Sequence, residues 1–290
     1  MGPLRSLRSA LRPSGRLVAA LLSVATSSGC AAFLRSHEPG QRAQQPQPAA
    51  ASEDTQSQRT PPELNLATED DFVVRVVAGA VSCTGALIAY DRVLTAHHCV
   101  AVPKPSGGNE ARDISPESVR VELGGDHLPW GDVGVRYIVT PSCGHNGGDG
   151  DIAVLVLARP LTGAATRAAE LDQAPKKGDR LIPIGFGRCA DENSGISRHR
   201  RAGTLVQRVL DRRFQLEAAI CPGDSGGPGF DPESGRIVGV ISASVMDAHE
   251  ATLGLSELVR LDQHRAVFAA AAELASGAVT PAELPPIDCR

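Results

Sequence analysis

From Phe72 onward the chain alternates short apolar runs with breaks rich in Gly, Pro and Asp. Short runs of apolar, β-branched residues bounded by turn residues predict strands. FVVRVV (72–77), TGALIAY (84–90), SVRVEL (118–123) and VGVRYIV (133–139) fit that pattern. So do IAVLVL (152–157), RLIPIGF (180–186), RFQLEA (213–218) and RIVGVISAS (236–244). Helical periodicity is clear only late, in LVRLDQHRAVFAAAAELASG from near Leu258 to Gly277. Leu258, Leu261, Phe268 and Leu274 fall near one face there, and Gly277 is placed to cap the C-terminus. The other face is mixed and carries acids, so this helix is expected to pack on the strands, not on a membrane. Many short strands, one helix and no fixed-period repeat predict an all-β barrel or sandwich.

Upstream of Phe72 the pattern changes. Residues 1–30 carry Arg5, Arg8, Arg12 and Arg16 and no acid, followed by the short apolar stretch Leu17–Ala25. That stretch falls well below the roughly 18 apolar residues of a spanning helix and has the form of an export signal. It ends in Ser27-Ser28-Gly29-Cys30, which resembles a bacterial lipobox with Cys30 as the lipidated residue. Ser27 stands where an aliphatic residue is usual, and a plain cut near Ala31 or Ala32 is the alternative. Residues 31–66 are rich in Gln, Pro, Ala and Ser, with little to bury, and read as a disordered linker.

The 290 residues, 42% of them hydrophobic, suffice for one large domain or two small ones. Loss of the four arginines in 1–30 would take the formal charge from −4 to −8. No basic run suggests nucleic acid. Of seven cysteines, six remain if Cys30 carries lipid, enough for three disulfides in an oxidising compartment. Counting alone leaves about 15 pairings open.

Three segments carry the chemistry: CTGALIAYDRVLTAHHC (83–99), GDIAVLVL (150–157) and CPGDSGGP (221–228). Together they resemble the chymotrypsin-like (trypsin-fold) serine proteases, in an exported bacterial form, over roughly residues 67–276. The motifs stand in that family's order of His, Asp and Ser. The resemblance implies two six-stranded antiparallel β-barrels and a C-terminal helix, with the chain dividing near 160–180 and a tail over 277–290. It implies a serine endopeptidase acting through an acyl-enzyme, with a polypeptide substrate and no cofactor or metal. A monomer is expected.

The family's histidine directly precedes the cysteine, so His98 matches the base and His97 is a neighbour that must fit a tight position. Ser225 would be the nucleophile, His98 the general base, and Asp151 the group that orients the imidazole. Asp149, in the Gly-rich loop before it, reads as a turn residue. Gly223 and Ser225 would donate their backbone N–H groups to the oxyanion. Ser242 matches the serine that supports the aspartate. Gly223-Asp224-Ser225-Gly226-Gly227 also fits the G-x-S-x-G elbow of α/β-hydrolase esterases. That fold needs a later acid and histidine, and only His249 and His264 follow.

By the same resemblance Ala219 lies at the base of the primary pocket, with Ser242, Ala243 and Ser244 on one wall and Gly254 on the other. A neutral pocket favouring small or apolar residues is expected. Family zymogens are cut before an aliphatic residue, and the new amino group pairs with the aspartate preceding the nucleophile, here Asp224. Val76 in RVVAG stands only seven residues before Cys83, too close for that role, and TPPELN holds no Ile-Val-Gly-Gly. An arginine or backbone donors must then replace the amine, since a buried unpaired carboxylate is costly. Otherwise the oxyanion loop collapses, and a silent binding or regulatory protein becomes the alternative.

The family pattern also pairs Cys83 with Cys99. Cys189, after Gly-Phe-Gly-Arg, is placed to reach Cys221, which leaves Cys143 and Cys289. His127, His145, His199, His249 and His264 lack a motif and read as loop or surface residues. Trp130 reads as a packing residue.

Overall fold

The structure, a computed structural model, describes residues 69–104, 106, 108–125, 129–142, 144–145, 149–189, 196–202, 205–246 and 252–288. These fall in one unit, Pro62–Arg290. The expected leader, Cys30 and the whole of the linker, and also His127, Cys143, His249 and Cys289, lie outside the described residues.

Strand β1 (Val73–Ala78) buries Val73, Val74, Val76 and Ala78. It pairs antiparallel with β2 (Val81–Ala89) and β6 (Val119–Leu123). β3 (Arg92–Thr95) joins β2 to β8 (Ala153–Leu157), and β7 (Gly131–Val139) joins β8 back to β6. The six strands close a barrel in the order β1-β2-β3-β8-β7-β6. Every residue of β8 is buried, because helix α1 (Arg265–Ser276) packs against a strand already inside the barrel wall. An uninterrupted apolar run is the mark of a strand covered on both faces.

β4 (Ala101–Pro103) and β5 (Asn109–Asp113) form a separate two-stranded ribbon. The remaining strands are β9 (Ile182–Gly185), β10 (His199–Arg200), β11 (Val206–Val209), β12 (Arg213–Leu216), β13 (Pro228–Asp231), β14 (Arg236–Met246) and β15 (Thr252–Arg260). They form a seven-stranded sheet in the order β10-β9-β13-β14-β15-β12-β11. This departs from the expected second closed barrel of six strands. The sheet curls until β11 meets the approach to β9, through the Arg180–Leu205 bridge and the Val206 N–H to Asp179 O bond of 3.0 Å. A full ladder does not form there, since β10 adds an outer edge beside β9.

Helix α1 begins at Arg265, not near Leu258. Leu258 belongs to β15, where it pairs with Phe214 and Ile241. Val267, Phe268, Ala270, Ala271 and Leu274 form the buried face of the helix. Gly277 ends it at φ 74°, with the Gly277 and Ala278 N–H groups returning to Leu274 O and Glu273 O. Beyond it, the Ser142 N–H donates to Ile287 O at 2.8 Å, holding the C-terminal stretch against the loop before Asp151. Trp130 is 56% exposed and is not a packing residue. No helix among the described residues is long and apolar enough to cross a membrane.

Candidate active site

The β3–β8 register sets the first two site residues side by side. Thr95 pairs with Ala153, so the residues just after β3 stand opposite those just before β8. After Ala96 the chain makes one 3-10 turn, His97–Cys99. The Cys83–Cys99 disulfide ties that turn to β2, with Cα atoms 6.1 Å apart. The His98 N–H donates to Asp151 Oδ1 at 2.9 Å, and His98 Nδ1 lies 2.8 Å from Asp151 Oδ2. A carboxylate accepts only, so Nδ1 carries the proton and Nε2 is left as the base. The Ser242 hydroxyl donates to the same Oδ2 at 2.5 Å.

Asp151 is buried and His98 is about a quarter exposed. Burial alone would lower the His98 pKa; the hydrogen bond and charge of Asp151 outweigh it, and the pKa is raised above 6.5. Burial alone would raise that of Asp151, and the bonds from His98 and Ser242 with the His98 charge bring it below 3.8. Each partner holds the other in its charged form.

Ser225 lies in a tight turn, Cys221–Gly226. Gly223 has φ 103°, and a Cβ there would stand 3.0 Å from Gly187 Cα. Gly226 has φ 83°, and a Cβ there would run into Thr84 O and Thr95 Oγ1. Only glycine suits either position. The Gly223 carbonyl accepts from Thr84 Oγ1 at 2.7 Å, and the Thr84 N–H donates to Ser225 O at 2.8 Å. Among the described residues, the Gly223 and Ser225 N–H groups have no acceptor. Ser225 Oγ likewise makes no hydrogen bond there, so the structure brings its backbone to the His98 turn without a direct bond to the ring. Cys99 Sγ lies 3.7 Å from Ser225 O.

Asp224 is fully buried and has the donors that its sequence context lacked. Arg201 Nε and Nη2 donate to its two oxygens at 2.8 and 3.1 Å. The Gly187 and Cys221 N–H groups each donate at 2.8 Å. The Cys189–Cys221 disulfide pins the start of this turn. Arg201 went unrecognised in the sequence; the one signal was its place in the basic run Arg198-His199-Arg200-Arg201.

A family model described as Trypsin matches residues 66–259. This chain belongs to the trypsin family. As a member it is a serine-type endopeptidase whose substrates are polypeptides. It is 28% identical over 208 residues to the cercarial protease of Schistosoma mansoni, covering 61% of this chain and 76% of that one. It is 27% identical over 209 residues to the vitellin-degrading protease of Bombyx mori, covering 60% and 71%. Among solved structures, a Glu endopeptidase superposes with TM-score 0.53 at 20% identity, over 72% of this chain and 91% of that one. The scabies mite inactivated protease paralogue S-D1 superposes with TM-score 0.55 at 17% identity, over 74% and 96%. Both share the trypsin fold.

The structure places the remaining candidate residues of this trypsin-family chain as follows. A cavity of about 590 Å³ is lined by Ala219, Ala218, Gly254, Leu255, Gln207 and Glu217, among others. Ser242, Ala243 and Ser244 do not line it. Ser242 is turned to Asp151, and Ser244 Oγ donates to Ile220 O at 3.2 Å. Glu217, which the sequence did not single out, brings an exposed carboxylate to the lining, where it accepts from Gln207 Nε2 at 2.7 Å. His97 is fully buried, with Nε2 2.8 Å from Asp113 Oδ1. His145, half-buried in a turn, stands edge-on to that ring at 5.3 Å, and His264 is a buried residue of the loop just before α1. His199 is half-buried and shares a 3.0 Å hydrogen bond with Ser197 Oγ. Asp149 lies in a turn, 3.0 Å from Arg213 Nε. Donor atoms of Cys83, Cys99 and His98 cluster within 4.8 Å, but the two sulfurs are bonded to each other and cannot ligate a metal as thiolates.

Proposed function

We propose that this endopeptidase cleaves peptide bonds through Ser225, His98 and Asp151. Ser225 Oγ attacks the carbonyl carbon while His98 Nε2 takes its proton. The Gly223 and Ser225 N–H groups receive the developing oxyanion. His98 then protonates the leaving amine, and a water deprotonated by His98 releases the acyl group from Ser225. Asp151 keeps the proton on Nδ1 and stabilises the imidazolium. The observation that carries this reading is the 2.8 Å His98–Asp151 pair beside two backbone donors with no acceptor of their own. Catalytic hydrogen bonds often tighten only when substrate binds, and the bond from Ser225 Oγ to Nε2 is expected in that complex.

A fluorophosphonate probe with peptide mapping tests the assignment. Label confined to Ser225, lost in Ser225→Ala and in His98→Ala, is the expected result. A folded chain that takes no label is instead a silent binding or regulatory protein.

For specificity we propose a preference for small or apolar residues at the cleaved position, on the strength of Ala219 and Gly254 in the cavity lining. Glu217 is solvent-exposed, so water screens its charge. Peptides ending in Val, Leu or Phe should be cut faster than those ending in Arg. An Arg preference abolished by Glu217→Gln would assign the specificity to that carboxylate instead. The two disulfides fit an oxidising compartment. With the Arg-bearing apolar leader they support export, to the periplasm or cell envelope if Cys30 is lipidated and by secretion otherwise.

A further inference from the structure

The run Arg198–Arg201 is held from two sides. Arg198 Nη2 donates to Asp71 Oδ1 at 2.7 Å, and its Nη1 donates to Val73 O and Gly124 O at 3.1 and 3.3 Å. Arg200 Nε and Nη2 donate to the two oxygens of Asp70 at 2.6 and 2.8 Å, and Nη2 also lies 2.6 Å from Glu69 Oε1. Between them runs β10, paired with β9 at Gly185 and Ile184, and the Arg201 N–H continues that ladder to Pro183 O at 2.9 Å. Successive residues of an extended chain point to opposite faces. Arg198 and Arg200 therefore serve the acidic segment 69–71 while Arg201 turns inward to Asp224. Glycines make the room for this: a Cβ on Gly185 or Gly187 would collide with the Asp224 carboxylate.

Asp224 immediately precedes Ser225, and its carboxylate accepts from Arg201 and from the N–H groups of Gly187 and Cys221. Wherever Asp224 is drawn, the oxyanion turn follows. We infer that Arg201, steadied by the Glu69–Asp71 clasp on Arg198 and Arg200, holds the oxyanion turn in its working form in the uncut chain. It occupies the role that a newly cut amino terminus plays in family zymogens. Arg201 is a positioning residue, acting through Asp224 on the Gly223 and Ser225 donors. The inference rests on the proposed role of Ser225.

The test uses the full chain, its uncut state verified by intact mass, and compares it with a preparation nicked before residue 69. Fluorophosphonate labelling at Ser225 and peptide hydrolysis are followed in both. Uncut wild type should label as fast as the nicked form. Arg201→Met should lose about 10²-fold in kcat with KM little changed, as expected when oxyanion donors are misplaced. The low-field proton NMR signal of the His98–Asp151 bond should persist, which general unfolding would not allow. Arg201→Lys should recover part of the rate. Asp70→Asn with Asp71→Asn should give a smaller loss in the same direction. Should Arg201→Met fail to fold, the comparison of uncut with nicked wild type decides. Labelling that appears only after nicking, or that ignores Arg201, overturns the inference and leaves the Ser225 assignment standing. No labelling in either form overturns both.

Discussion

His98 keeps part of its ring in water while Asp151 is buried, and that difference sets what pH does to the pair. Catalysis requires neutral His98 Nε2, and its pKa is raised above 6.5 by Asp151. The acid limb of kcat/KM should therefore turn at a pH above 6.5, with activity lost as pH falls through it. Asp151→Asn removes both the charge and the preference for the Nδ1 proton. Its kcat should drop on the order of 10⁴-fold, with the acid limb moving to lower pH, both read from a pH–rate profile. His98, Asp151, Ser225 and Gly223 were legible because their neighbours in sequence carry the motif. Arg201 and Thr84 were not, because each acts on a residue far along the chain that no local pattern names.

Helix α1 shows where periodicity misleads. Leu258 and Leu261 stand three apart, as on a helix, yet Leu258 is on β15 and both are buried for other reasons. The helix starts only after His264, whose N–H donates to Leu261 O. Burial, then the charge of Arg212, lower the His264 pKa to about 4. Between that value and 6.5 the unfolded chain binds more protons than the folded one. Stability is thus complete above pH 6.5 and declines towards pH 4, by about 3 kcal/mol in all. His264→Phe should flatten that part of the acid slope in urea unfolding at pH 4.5, 5.5 and 6.5. At the other end, Gly277 has open space for a side chain but φ 74°, so Gly277→Ala should cost about 1 kcal/mol and lower Tm. β13 escaped prediction because Pro228 opens it and Asp231 closes it, both turn signals. β10 is two polar residues paired with β9, and Arg200 within it and Arg198 just before it are bound in ion pairs, which no apolar pattern announces.

The closed barrel and the curled sheet meet at Thr84, which is fully buried. Its hydroxyl donates to Gly223 O and accepts from the Phe186 N–H at 2.9 Å, while its N–H reaches Ser225 O. One β2 side chain thus joins the barrel that carries His98 and Asp151 to the turn that carries Ser225. Thr84→Val keeps the shape and strips the hydroxyl, leaving a buried donor and acceptor unmet. A loss of about 1–3 kcal/mol is expected in denaturant unfolding, with kcat falling more than KM changes. The order of amino acids was enough to announce an all-β chain, the Ser, His and Asp motifs and the glycine turn, because short-range spacing governs strand formation and turn chemistry. It could not say that the second sheet has seven strands in an open order, that Thr84 ties β2 to the turn of Ser225, or which arginine meets Asp224. Those depend on residues tens of positions apart becoming neighbours, and a buried charge or hydroxyl takes its partner from whatever packing brings within about 3 Å.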